Sequence, residues 1–288
     1  MLKKIQPWQA DLLLLAISFI WGTTFIIVKQ ALEGITPFTF LALRFSIAFF
    51  SLLLLVRPRK TLPDAKRLLA GLAIGFCLFC GYAFQTIGLQ YTSATNAGFI
   101  TGLSVVFVPL LGIFYDRRLP NVFALTGAVA AAVGLGFLTL DQTLAPHKGD
   151  LLVLFCAVAF AFHIIYVGKY AGKYEALQLA LVQIGTTAVF CTAFSLLLPG
   201  ESWPACWPRE VWTALAVTAI PATSLALLIQ NSAQRFTSPA RTAIIFTTEP
   251  IFSALTSWYI GKETLAPQAL FGAGLILFGI LLAELKGS

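Results

Sequence analysis

Apolar runs of roughly 20 residues, the length that crosses a bilayer as a helix, recur from one end of the chain to the other, with short polar stretches between them. At 1.5 Å per residue such a run covers about 30 Å, the hydrocarbon thickness. The runs do not alternate apolar and polar as barrel strands do, and lipid cannot satisfy open backbone groups, so the pattern predicts helices. Ten spans are read, at about 11–32, 37–56, 68–89, 95–115, 120–140, 150–169, 175–198, 211–233, 240–260 and 265–284. The longest gaps, 57–67, 141–149 and 199–210, leave no room for a soluble domain. The first span follows Lys3 and Lys4, as a signal peptide would. It is long for a signal core and no small-x-small site follows it, so it reads as a retained helix. The expected fold is an all-α integral membrane protein of ten transmembrane helices.

Composition agrees. Of 288 residues, 58% are hydrophobic and 11% charged, against about 25% charged in a soluble domain. The net charge of +7 taken alone suggests nucleic acid. Its placement argues otherwise. With loops assigned alternately from a cytoplasmic N-terminus, 14 of the 19 basic residues fall on the inner side; Lys29, Lys148, Arg209 and Lys262 fall outside, and Arg44 lies within a span. The positive-inside rule then places both termini in the cytoplasm. The basic charge is topological, and no nucleic-acid partner is expected. Cys77, Cys80, Cys156 and Cys191 lie within spans and read as apolar filler, and Cys206 sits in an outer loop with no evident partner. Cys77 and Cys80 have the spacing of a redox pair but none of its surroundings.

The chain also reads as one unit written twice. Shifted by 145 residues, YTSATNA (91–97) falls on FTSPART (236–242), Gln85 on Gln230, Gly127 on Gly272 and Gly134 on Gly279. Earlier the shift is 139: DLLLL (11–15) falls on DLLVL (150–154), Thr24 on His163 and Arg44 on Gln183. Two repeats are expected, 1–140 and 141–288, each with five spans. An odd number of spans makes the second repeat enter the membrane from the opposite side. Inverted repeats of this kind are a transporter architecture, with the binding site near the midplane between the halves.

WGTTF in span 1, the Arg44 run in span 2, TSATNAGFITGLSVVFVPLL at 92–111, TEP at 248–250, and GKETL followed by GAGLILFGILL occur in that order. In this combination the chain resembles the EamA-type branch of the drug/metabolite transporter superfamily over nearly its whole length. The resemblance implies a ten-helix inverted-repeat exporter of the bacterial inner membrane with both termini cytoplasmic. It leaves the cargo open among amino acids, drugs and nucleotide-linked metabolites. One departure is visible: the loop after span 4 reads YDRRLP where the family often has an acidic residue.

Polar groups inside spans need a reason. Arg44 lies roughly 10 Å below the outer surface and Glu249 roughly 13 Å above the inner one, at 1.5 Å per residue. Their levels therefore differ by only a few ångströms, and a direct or water-bridged pair is expected, with Glu249 as the counter-charge. Two readings of Arg44 stand together: a structural arginine bonded to helix carbonyls, and a cavity cation that attracts a carboxylate. Lys29, near a span end, reads first as a snorkelling lysine. Glu249 precedes Pro250, which removes a backbone donor and breaks the helix beside a carboxylate. It reads either as a proton-coupling acid or as a member of a structural or gating ion pair. His163 reads as a core histidine held by a neighbouring helix or as a cargo contact. Other polar side chains share helix faces: Ser18, Trp21 and Thr24; Tyr82 and Gln85; Thr101 and Ser104; His163 and Tyr166; Gln230, Asn231 and Gln234; Glu249 and Ser253. They read as a cavity lining, or more plainly as interhelical bonds. Spans 5 and 10 carry small-residue faces and read as scaffold or dimer contact.

The expected function is secondary transport of small amphipathic metabolites outward across the inner membrane, amino acids and foremost aromatic ones. Trp21, Thr24, Arg44, Tyr82, Gln85, His163, Tyr166 and Gln230 are the candidate substrate contacts, and Glu249 with Arg44 the candidate coupling or gating pair. No metal or cofactor is expected. The partners are a small-molecule substrate, the lipid bilayer and protons, in a monomer or homodimer. No P-loop pattern supports ATP hydrolysis. The alternatives are a drug or other metabolite permease of the same fold, and a membrane-embedded enzyme, for which two histidines and scattered carboxylates offer little.

Overall fold

The computed structural model describes residues 6–54, 65–116, 122–139, 148–203, 206–261 and 267–284. Lys3, Lys4, Arg57, Arg59, Lys60, Arg117, Arg118, Lys262 and Lys286, which carry much of the charge-asymmetry argument, lie outside these residues, as do His147 and Glu263. Helix makes up most of the described residues in every expected span. The helices are α1 (Pro7–Ala31), α2 (Pro37–Leu53), α3 (Ala65–Leu89), α4 (Ala94–Gly102), α5 (Ser104–Asp116), α6 (Val122–Thr139), α7 (Lys148–Ala171), α8 (Ala176–Leu197), α9 (Arg209–Ala219), α10 (Ala226–Ala233), α11 (Pro239–Phe246), α12 (Glu249–Gly261) and α13 (Pro267–Glu284). A π-helical segment, Ile220–Leu225, joins α9 to α10. Six helical runs are long and apolar enough to cross a membrane: 7–31, 65–89, 94–113, 148–171, 176–197 and 209–233. Pro37–Leu53, Leu125–Gly134 and Leu270–Gly279 are shorter apolar helices.

The distribution of polarity reverses that of a water-soluble protein. Large apolar side chains such as Leu54, Val189, Leu197 and Leu270 face outward, while Arg44, Gln183, Gln230, Asn231 and His163 are buried. In lipid the outward face needs no polarity, and the interior takes the groups that lipid would not solvate.

Three expected spans are interrupted, and each interruption has a local cause. The run expected at 240–260 is split between α11 and α12, and the one at 95–115 between α4 and α5. At both places the chain tightens to an i→i−3 bond: Leu103 N to Ile100 O and Thr248 N to Ile245 O, each 3.1 Å. These positions match under the 145-residue shift. So do the caps that start the two runs, Ser93 accepting from the Asn96 N–H and Ser238 from the Arg241 N–H. Pro250 accounts for the second break, because it has no N–H for the Phe246 carbonyl and its ring crowds that oxygen. Pro221 accounts for the π segment in the same way. There the Thr223 hydroxyl donates to the Thr218 carbonyl at 2.8 Å, and Ser224 Oγ lies 3.2 Å from the Ala219 carbonyl oxygen, each reaching five residues back along the widened turn.

The helices pair across the two halves of the chain. α6 packs along α13, α3 along α7 and α8, α2 along α8 and α9, and α1 along α9, α10 and α12. The α6–α13 contact is antiparallel and rests on glycine. A Cβ at Gly134 would stand 2.6 Å from the Gly272 carbonyl oxygen, and one at Gly279 would stand 2.6 Å from that of Gly127. The small-residue faces of spans 5 and 10 thus close on each other within one chain, the scaffold role of the two that were expected. Gly279→Leu is expected to destabilise the protein by more than the ~1–3 kcal/mol of ordinary overpacking, because the obstacle is backbone. Gly274→Leu on the same helix, with nothing within 4 Å of its Cβ position, should leave the melting temperature of the detergent-solubilised protein near wild type.

The ends of the bundle are tied by polar contacts. Where α1 begins, Arg241 Nε and Nη2 donate to Asp11 Oδ1 and Oδ2 at 3.1 and 2.5 Å, joining α11 to α1. At the opposite end Lys29 Nζ donates to the Thr92 carbonyl at 2.5 Å, and Thr92 Oγ1 to Asp150 Oδ1 at 2.6 Å. Lys29, near the end of α1, thus has a partner within the protein. The start of α2 is held by the long loop before α9: the Phe38 and Thr39 N–H groups donate to the Glu201 carboxylate at 3.2 and 2.9 Å. A carboxylate at a helix N-terminus meets free N–H groups and the positive end of the helix dipole. It anchors the helix that carries Arg44.

Candidate functional site

Helices α1, α2, α3, α7 and α10 and the broken α4–α5 and α11–α12 runs enclose a cavity whose mainly apolar wall carries several polar side chains. Its wall includes Trp21, Thr24, Arg44, Tyr82, Gln85, Thr101, Ser104, Phe160, His163, Gln230, Phe246 and Glu249. Two of these, Ser104 and Glu249, occupy matched positions under the 145-residue shift, each at the start of the second half of a broken run. The water-accessible space is about 50 Å³, room for a few waters.

Arg44 is held by hydrogen bonds and a ring. Its Nε donates to Thr223 Oγ1 at 2.8 Å, and its Nη2 to the Tyr82 hydroxyl at 3.3 Å. Its Cζ lies 4.5 Å from the Tyr82 ring centroid and 5.6 Å from that of Phe45. A buried cation–π contact is worth about 2 kcal/mol, and a hydrogen bond to a charged group about 1.5–3 kcal/mol. Together they account for a guanidinium 3% exposed. The direct form of the expected ion pair with Glu249 is not made: the structure shows no salt bridge between the two residues, and Arg44 bonds side chains rather than helix carbonyls. Both nevertheless line the same cavity. Glu249 is half-buried at the cavity wall.

The π segment positions the arginine. Thr223 donates to Thr218 O and thereby turns its oxygen lone pairs towards Arg44. The next residue, Ser224, places its hydroxyl 3.0 Å from the Ala48 carbonyl oxygen, one turn beyond Arg44 on α2. Trp21 Nε1 donates to the Ala222 carbonyl at 2.7 Å, and its ring meets Phe246 edge-on at 5.1 Å between centroids. One irregular turn thus fixes an arginine and an indole of the cavity wall. Thr223 did not stand out in the sequence. The signal was present in IPATSL, a proline within a span followed by two hydroxyl residues.

Of the candidate substrate contacts, Trp21, Thr24, Arg44, Tyr82, Gln85, His163 and Gln230 come together, with Glu249 among them. Tyr166 does not. It stacks on Phe162 and packs against the cluster of Ile74, Val167, Ala171 and Leu179. Three residues turn through about 300° on a helix, which leaves Tyr166 about 60° round from His163, and there its ring meets this cluster instead of the cavity. His163 Nε2 lies 2.9 Å from Gln183 Oε1 on α8, the interhelical contact of the plainer reading, while its ring still borders the cavity. Ser18, Asn231 and Gln234 also take interhelical partners: the Thr248 hydroxyl at 2.8 Å, the Ala176 carbonyl at 3.3 Å and the Ile164 carbonyl at 3.2 Å. The apolar wall residues Phe25, Phe160 and Phe246 were not anticipated, since a phenylalanine in an apolar span carries no distinguishing signal. All five cysteines are free, the Cys77–Cys80 pair included.

A multi-helix membrane protein closed round a ring-lined cavity with several polar side chains in its wall is the class these features define. Comparison with known proteins narrows it: the chain belongs to the EamA-like transporter family, whose model matches twice, over residues 8–140 and 147–285. An uncharacterized transporter of Archaeoglobus fulgidus is 34% identical over 284 residues, covering 99% of this chain and 88% of its own. The uncharacterized inner membrane transporter YedA of Escherichia coli is 26% identical over 286 residues, covering 94% and 89%. A protein of known crystal structure shares the fold at a TM-score of 0.78 and 17% identity, with 97% of each chain covered. The protein is a multi-pass membrane transporter.

Proposed function

We propose that the protein is a ten-helix secondary transporter that moves small amphipathic metabolites, amino acids and foremost aromatic ones, out across the inner membrane by alternating access. The observation that carries this reading is the cavity: a fixed cation, Arg44, and a carboxyl, Glu249, share it without pairing, and Trp21, Tyr82, Phe160 and Phe246 supply ring surface between polar groups. A zwitterion with an apolar body matches such a lining. Its carboxylate meets Arg44 and its side chain meets rings.

Several features support two inverted halves, 1–140 and 141–288. The family model matches once in each. The breaks at Leu103 and Thr248 share one register. The antiparallel glycine contacts of α6 with α13 exchange with each other when the halves are exchanged. The two end ties involve Asp11 and Asp150, which match under the 139-residue shift. A cavity of about 50 Å³ is too small for an amino acid, so cargo enters only when helices part at one end. Breaking one tie while keeping the other opens the cavity to one side alone, which is what alternating access requires.

The test is uptake of labelled metabolites into proteoliposomes, with and without a pH gradient. Aromatic amino acids should move, and should compete with one another. Movement of cationic drugs without any amino acid transport would replace this cargo class.

A further inference from the structure

Gln230 and Gln234 stand one turn apart on α10, and the direction of their hydrogen bonds is set by backbone. Gln234 Nε2 donates to the Ile164 carbonyl at 3.2 Å. That oxygen can only accept, so the Gln234 amide must turn its NH₂ group towards α7 and its oxygen towards Gln230. Gln234 Oε1 accepts from Gln230 Nε2 at 3.0 Å. The order leaves Gln230 Oε1 at the end of the chain. It is buried without a hydrogen-bond partner, on a residue of the cavity wall that is itself 0% exposed. Buried acceptors are rarely left unpaired, and one that is calls for a ligand, a water or strain as its reason. Gln85, the matched glutamine of the first half, has no such constraint: its Nε2 donates to the Thr101 hydroxyl at 3.2 Å, and a hydroxyl can reverse its role.

We propose that Gln230 is a specificity-determining residue whose side-chain oxygen accepts a hydrogen from the cargo's ammonium group, with Gln234 as the positioning residue that keeps the oxygen turned inward. The inference rests on the amino-acid reading above. Arg44 supplies donors for the cargo carboxylate, and Gln230 supplies the opposite polarity in the same cavity. A cargo of equal shape without an ammonium leaves this oxygen unmatched, and rejection of that kind is stronger than any pocket achieves by shape alone.

The experiment measures binding of L-phenylalanine and of 3-phenylpropanoate, which keeps the ring and carboxylate but has no nitrogen, to the purified full-length protein. Wild type should prefer phenylalanine by about tenfold or more, the worth of one hydrogen bond to a charged group. Gln230→Leu and Gln234→Met should bring the ratio towards one, by weakening phenylalanine and leaving 3-phenylpropanoate unchanged. Gln234→Met, which leaves Gln230 itself in place, serves if the leucine variant does not fold. An unchanged ratio in Gln234→Met and in Gln230→Leu overturns the proposal alone. Binding of neither compound by wild type overturns the amino-acid reading and this inference with it.

Discussion

Arg44→Ala is expected to weaken binding of carboxylate-bearing cargo by roughly tenfold to a hundredfold, the equivalent of ~1.5–3 kcal/mol for a hydrogen bond to a charged group. Amine analogues that lack the carboxylate should be affected much less. The reason is geometric. Nε is engaged by Thr223 and one end of the guanidinium by Tyr82, which fixes the plane of the group while it borders the cavity. A planar fork held in this way presents its donors in a constant direction. Arg44→Lys keeps the charge but loses the Thr223 bond and the flat contact with the Tyr82 ring, so it should restore only part of the affinity. Competition binding with phenylalanine, 3-phenylpropanoate and phenethylamine reads the effect. Equal loss for all three, with a lowered melting temperature, would assign Arg44 to the scaffold.

Glu249→Gln is expected to abolish any dependence of transport on a pH gradient while leaving the folded protein intact. Glu249 opens α12 immediately after the break at Thr247 and Thr248, and its carboxyl faces the cavity without a salt bridge to Arg44. A carboxyl in that position can gain and lose a proton through cavity water without breaking an internal ion pair. Glutamine keeps the shape and removes the exchange. Counterflow, which needs no gradient, should persist in the variant. Coupling that is unchanged in Glu249→Gln would remove the proton role and leave Glu249 as a structural member of the site. The two variants separate two functions of one cavity, since Arg44→Ala should change cargo preference and keep coupling.

The helices and much of the cavity were legible in the chain because a membrane constrains sequence twice. Hydrocarbon admits only closed backbone, so apolar length predicts helix. It also penalises every polar side chain, so Trp21, Arg44, Tyr82, Gln85, His163, Gln230 and Glu249 stood out against their surroundings before any contact was known. Lipid has no comparable objection to a phenylalanine, and Phe160 and Phe246 passed unseen for that reason. Face assignments were weaker. Tyr166 shares a helix with His163, yet packing turned it to another cluster.

Partnership is where the sequence ran out. Equal depth in the bilayer predicted an Arg44–Glu249 pair, but depth is one coordinate of three. Tertiary packing brought Thr223 to Arg44 through the π turn that Pro221 imposes. It gave Lys29 a carbonyl partner at Thr92. It closed the glycine faces of α6 and α13 on each other. The chain alone determined that this is a membrane protein of repeated helical spans with charges in its interior, because transfer energies act on each residue wherever it sits. Which of those polar groups meet, and which are left facing the cavity, depended on helix rotation and crossing, and these are set by side-chain contacts between segments more than a hundred residues apart.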